Sequence, residues 1–167
     1  MSANTDPDWH SRGQEWYFKQ EYGFDAVPSA DEMITYYKAL LICVNGDGEL
    51  AEQERDWVLG YAAVVGTPAE YLAELRDYAA DERVEDVVSR FDIIVAASRC
   101  IIRDAIRACA ADGTVRTTEL DTIRRMNRAL GHPDDLVDRL LDLHVRQADI
   151  DRARSALFWP ETGGRPY

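Results

Sequence analysis

The residues with the most chemical potential in this sequence are carboxylates, set in two copies of one short pattern. Asp47-Gly48-Glu49-Leu50 is followed by Glu54, and Asp112-Gly113-Thr114-Val115 is followed by Glu119. In the first copy Glu49, Glu52, Glu54 and Asp56 all follow Asp47 within ten residues. Carboxylates this close repel one another, and their oxygens suit a hard divalent cation such as Ca²⁺ or Mg²⁺. With Gly48 at the sixth place of an EF-hand loop, Asp47 takes the fifth, Leu50 the apolar eighth and Glu54 the bidentate twelfth. The first and third places, however, hold Cys43 and Asn45, and in the second copy Ala108 and Ala110. Neither loop is a standard EF-hand. A cation here is expected to prefer the first copy, with an affinity on the order of 10⁻⁴ to 10⁻³ M, because the leading carboxylate is missing. A second reading needs no metal: Asp-Gly makes the turn, and Glu54 and Glu119 bond back to the starts of their own helices.

Other chemistries are thinner. Arg99, Arg103 and Arg107 stand four apart on one helix face, either as a solvated face paired with acids or as a site for an anion or acidic partner. Trp16, Tyr17, Trp57, Tyr61 and Trp159 are candidates to line a pocket. His10, His132 and His144 have no metal-ligand spacing. No nucleophile elbow, phosphate loop or dinucleotide motif occurs, so no catalytic residue is named. Cys43, Cys100 and Cys109 form no Cys-x-x-Cys pair and sit among helical apolar positions, as buried free thiols do.

The elements that carry these residues repeat. At an offset of 65, Asp47-Gly48, Glu54, Asp56, Gly66-Thr67-Pro68, Leu75 and Asp77 match Asp112-Gly113, Glu119, Asp121, Gly131-His132-Pro133, Leu140 and Asp142. No gap is needed between 36–79 and 101–144, the mark of a duplicated unit whose halves bury their apolar faces together. Each unit reads as helix, Asp-Gly turn, helix, Gly-x-Pro turn, helix. Ser29 and Glu32 form a capping box that opens the first unit, with Ile34, Tyr37, Leu41 and Val44 as its apolar stripe. Thr67-Pro68 is expected to start a helix, with Thr67 as its N-cap. The second unit is expected to open with a helix over 90–110 that buries Ile94, Ile101, Ile102, Ala105, Ile106 and Cys109. Its third helix is expected from Pro133, with a bridging helix over 82–89 and a separate last one over 147–158. No stretch alternates apolar and polar residues as a strand would. The expected fold is all-α: a single-domain helical bundle of two pseudo-two-fold-related three-helix units with an N-terminal extension.

The domain then spans 29–158, flanked by an aromatic extension over 1–28 and a polar tail over 159–167. The extension holds Trp9, Trp16, Tyr17, Phe18, Tyr22 and Phe24, 6 of the chain's 16 aromatics. A short helix near 11–22 is expected to fold over the core and bury Trp9, Trp16, Phe18 and Phe24, or to cover a dimer interface. Leu157, Phe158 and Trp159 are expected to act as a second latch.

Charge narrows the partners. Residues 1–89 carry 19 acids against 6 bases, whereas 90–167 carry 12 against 13, for a total of −12. Such a chain is a poor match to nucleic acid or anionic lipid. It has no leader-like opening and no apolar run of the roughly 20 residues that span a bilayer, which predicts a cytoplasmic protein without membrane insertion.

The pattern Asp-Gly-x-hydrophobic-x-x-x-Glu, preceded by an apolar helix and followed by Gly-x-Pro, resembles the TerB family of tellurite-resistance proteins and its TerB-like relatives. The resemblance covers about residues 30–145. It implies an all-helical fold with internal two-fold symmetry and a divalent-cation site at Asp47, Glu54, Asp112 and Glu119. It also implies a cytosolic scaffold near membrane or stress-response complexes. The expected function is a non-enzymatic acidic module that binds a divalent cation weakly and works through a protein partner or a homodimer. The alternative is an all-α enzyme or small-molecule binder with an aromatic-lined pocket.

Overall fold

A computed structural model of the chain describes residues 8–46, 48, 50–90 and 97–160. Asp47, Glu49 and Ile94, named above, lie outside the described residues. Helix α1 (Trp9–Tyr22) precedes α2 (Ala30–Val44), α3 (Glu52–Val64) and α4 (Ala69–Asp77), and α5 (Val84–Val88) bridges to the second unit. There α6 (Ser98–Cys109) runs into a 3₁₀ turn (Ala110–Asp112), followed by α7 (Thr117–Ala129) and α8 (Leu136–Phe158). No strand occurs among the described residues, and no described helix is long and apolar enough to cross a membrane.

The equivalent helices of the two repeats, α2 and α6, pack against each other at the centre. Helix α2 is buried nearly all round, through Leu40, Leu41, Cys43 and Val44 among others, because α3, α4, α5 and α7 also lie on it. Its start is the expected capping box: Ser29 N donates to Glu32 Oε2 at 2.7 Å, and Glu32 N to Ser29 Oγ at 3.4 Å. Backbone details recur at the offset of 65. Gly48 and Gly113 have φ of 84° and 96°, and Gly66 and Gly131 have 81° and 74°.

Several expected boundaries move. Of the helix expected over 90–110 the described residues show Ser98–Cys109, and 91–96 lie outside them. Helix α4 starts at Ala69, flanked by an extended Pro68, so Thr67 is not its N-cap. Residues 133–136 form a turn, with Leu136 N on Pro133 O at 3.1 Å, so the third helix starts later than Pro133. It then continues to Phe158 as one helix, because neither Gly nor Pro interrupts 136–158. The separate helix over 147–158 does not exist.

Helix α1 lies over the core, but with a different face than expected. Phe18 is buried and Phe24 half-buried, whereas Trp9 and Trp16 are 71 % and 65 % exposed. The cause is helical geometry: Gln14, Tyr17, Phe18 and Tyr22 share the docked face, and Trp9 and Trp16, seven apart, share another. Gln14 Nε2 donates to Val65 O at 2.6 Å. Gly66 leaves room for this contact: a Cβ there would run into the ends of the His10 and Gln14 side chains and displace them. At the other end Leu157, Phe158 and Trp159 are exposed, so no second latch closes there.

Candidate functional site

Two buried polar centres organise the molecule. The first unites the repeated motifs. Glu54 and Glu119 occupy the same place in the first turns of α3 and α7, and both are fully buried. Each carboxylate bonds back to its own helix start: Ala51 N donates to Glu54 Oε2 at 3.2 Å, and Arg116 N to Glu119 Oε2 at 2.7 Å. This is half of a capping box, with the acid satisfying a helix-terminal N–H. The remaining oxygens converge on one guanidinium. Arg116 Nη1 donates to Glu54 Oε1 at 3.3 Å and to Glu119 Oε1 at 3.0 Å, while Nη2 reaches Asp112 Oδ2 at 2.7 Å.

The loops hold these helix starts close together. A Cβ on Gly46 would lie 2.9 Å from both Glu119 Cα and Thr118 O, so the turn after α2 touches the backbone of α7 directly. Burial, and then the charge of Glu119, push the Glu54 carboxyl up to about 7. The Thr114 N–H and Arg116 hold Asp112 below the usual carboxylate range. Glu52 is exposed in the first turn of α3.

Of the carboxylates named for a cation, Asp47 lies outside the described residues, and the described Glu54 and Glu119 do not offer a divalent cation free oxygens. A cation needs free oxygens from several carboxylates. Here Glu54 and Glu119 each commit one oxygen to a backbone N–H and the other to a guanidinium, which itself stands among the three acids. Among the described residues no group of three or more His, Cys, Asp and Glu is placed to hold a metal.

The second centre was not singled out in the sequence. Asp104, fully buried on α6, accepts from Tyr22 Oη at 2.6 Å and Tyr36 Oη at 2.8 Å on Oδ2. Arg107 Nη1 donates to its Oδ1 at 3.2 Å. The Tyr22 and Tyr61 hydroxyls also share a hydrogen bond. Burial, and then the charge of Asp104, raise all three phenols above their usual range. Around this network Tyr17 and Trp57 pack on Tyr61, with ring centroids 6.3 and 5.5 Å apart, and the Arg107 guanidinium covers Trp57. The signal available in the sequence was a lone carboxylate inside the apolar stripe Ile101, Ile102, Ala105, Ile106.

Of the aromatic pocket candidates, then, Tyr17, Trp57 and Tyr61 come together, whereas Trp16 and Trp159 are exposed. The cluster packs solid apart from a cavity of about 30 Å³, bordered by Tyr22, Tyr36 and Tyr61, which has room for little more than a water. Arg103 and Arg107 share Glu21 at 2.6 and 3.3 Å and so tie α6 to α1. Arg99 is exposed. The two arginines edge an open groove of about 550 Å³ beneath α8, where Leu140, Leu143 and His144 face them. The buried thiols Cys43 and Cys109 and the half-buried Cys100 are all raised above the usual range, first by burial, which keeps them protonated.

No family model matches the chain, and no curated protein matches it. A solved structure does: a tellurite resistance protein from Nostoc punctiforme is 32 % identical, with a TM-score of 0.86, over 97 % of this chain and 100 % of that one.

Proposed function

The chain belongs to the TerB-like family of tellurite-resistance proteins, and from this we propose that it is a non-enzymatic helical module that serves tellurite resistance by binding a protein partner. In this reading the buried Glu54–Arg116–Glu119 and Asp104–tyrosine centres are structural, and the working surface is α8. The observation that carries the reading is a stripe on that helix. Leu143, Ile150 and Leu157 stand seven residues apart and are 51 %, 58 % and 82 % exposed. Beyond Val137 the helix holds to its own body by a half-buried face that includes Leu140, Leu141 and His144, and the stripe lies largely outside that face. Apolar residues at a seven-residue spacing present one seam to another helix. The occupant that fits is an amphipathic helix of a partner protein, laid along the seam.

The test is complementation. A host lacking this chain receives either the wild type or Ile150→Asp with Leu157→Asp, and growth is scored against tellurite. The exposed substitutions are expected to leave the stability within about 0.5 kcal/mol of the wild type and to abolish resistance. Full resistance from the folded double variant would overturn the reading. Light scattering on the purified chain reads whether the partner is a second copy, in which case the mass halves in the variant.

A further inference from the structure

The family resemblance implies a divalent cation between the two Asp-Gly motifs, and the geometry points to a different occupant: we propose that the Arg116 guanidinium is the resident cation of this centre and holds the two helix starts together without metal. Among the described residues, three carboxylates from both halves of the repeat meet one guanidinium at 2.7 to 3.3 Å. Two of them are fully buried and have already spent their other oxygen on a helix N-terminus. Two buried carboxylates that share one donor need a positive charge between them, and either a metal or a guanidinium supplies it. A planar guanidinium presents five donors in a fixed fork, so it satisfies several carboxylate oxygens at once as a lysine ammonium does not.

The repeat shows where this cation entered. By the offset of 65, Arg116 corresponds to Ala51, the residue before α3. Only one of the two equivalent positions carries a charge, and its Nη1 lies on the glutamates of both halves. One arginine at an asymmetric position therefore serves a symmetric pair. An Ala at 116 would recreate in the second half what the first half already has, and would leave Glu54, Asp112 and Glu119 facing an open place that a divalent cation can enter.

The experiment is thermal unfolding of the full chain at pH 7.5, with EDTA or with 10 mM Ca²⁺, for wild type, Arg116→Ala and Arg116→Ala/Glu54→Gln. The wild type is expected to melt at the same temperature in both solutions. Arg116→Ala should melt earlier in EDTA and regain about 3–5 °C in Ca²⁺, as mass action gives for a millimolar site. If it is unfolded in EDTA, Ca²⁺ should restore its helical circular dichroism. The double variant, relieved of one anion, should fold in EDTA and respond less to Ca²⁺. A wild type stabilised by Ca²⁺ as strongly as Arg116→Ala, or an Arg116→Ala chain indifferent to Ca²⁺, would overturn the proposal.

Discussion

The Tyr22 hydroxyl donates to Asp104 Oδ2 at 2.6 Å across 82 residues of sequence, and so anchors the end of α1 on a carboxylate at the centre of the molecule. Hydrogen bonds to a charged acceptor contribute about 1.5–3 kcal/mol, and Tyr22→Phe is expected to cost that much. Asp104→Ala should cost more, about 3–5 kcal/mol, because it also leaves the buried Tyr36 hydroxyl without its acceptor and takes one of the two carboxylates on Arg107. Urea unfolding measures both. Equal losses would show that Asp104 serves Tyr22 alone.

Removing residues 1–26 should lower the melting temperature at every protein concentration. The truncation takes away buried Phe18, the Tyr22 anchor and the Glu21 carboxylate shared by Arg103 and Arg107. Calorimetry at two concentrations tenfold apart distinguishes this from a dimer contact, whose loss would matter more at the higher concentration. An unchanged melting temperature would make α1 a passive attachment.

Stability should fall as pH rises from about 4.5 to about 7. An unfolded glutamate titrates near 4.3, whereas Glu54 in the fold titrates near 7. Between these values the folded chain binds more protons than the unfolded one, so raising the pH favours unfolding until Glu54 is ionised. Glu54→Gln should flatten this part of the profile while keeping an oxygen for Ala51 N–H. Urea midpoints at pH 5, 6 and 7.5 give the slope, and an identical slope in wild type and variant would assign it to another group.

Gly66→Ala and Gly131→Ala isolate the α1 contact from backbone strain. Both glycines are left-handed, at φ of 81° and 74°, so alanine costs conformational energy at each, typically about 1 kcal/mol. Only at Gly66 does the new Cβ also meet His10 and Gln14, whereas the space around Gly131 is open. Gly66→Ala should therefore be the worse of the two, and the difference should vanish in a chain lacking residues 1–26.

The repeat, the all-helical class and the capping role open to Glu54 were legible because they rest on local spacing. A Glu three residues into a helix has a backbone N–H within reach whatever surrounds it. The meeting of Glu54 with Arg116 was not legible, since 62 residues separate them and nothing nearby marks Arg116. Asp104 was hidden in plain composition: a single acid in an apolar stripe reads as a surface residue until three elements close over it. Trp9 and Trp16 misled for the opposite reason. Apolar area argues for burial, but a helix docks by one face, and Phe18 and Tyr22 took it. The continuity of α8 could have been read from the absence of Gly and Pro over 136–158.

The placement of Arg116 bears on how a duplicated chain folds. A two-fold repeat could in principle come apart into halves that fold alone and then dock. Here the first half carries a buried acid, Glu54, and its guanidinium comes from the second half. A fragment ending near residue 90 would lose the guanidinium, and with it the second-half surface that covers Glu54. The two halves thus share one charge that neither can do without. Folding is expected to be all-or-none over the whole domain, with a long-range closure between 54 and 116 among the contacts that must form before either half is stable.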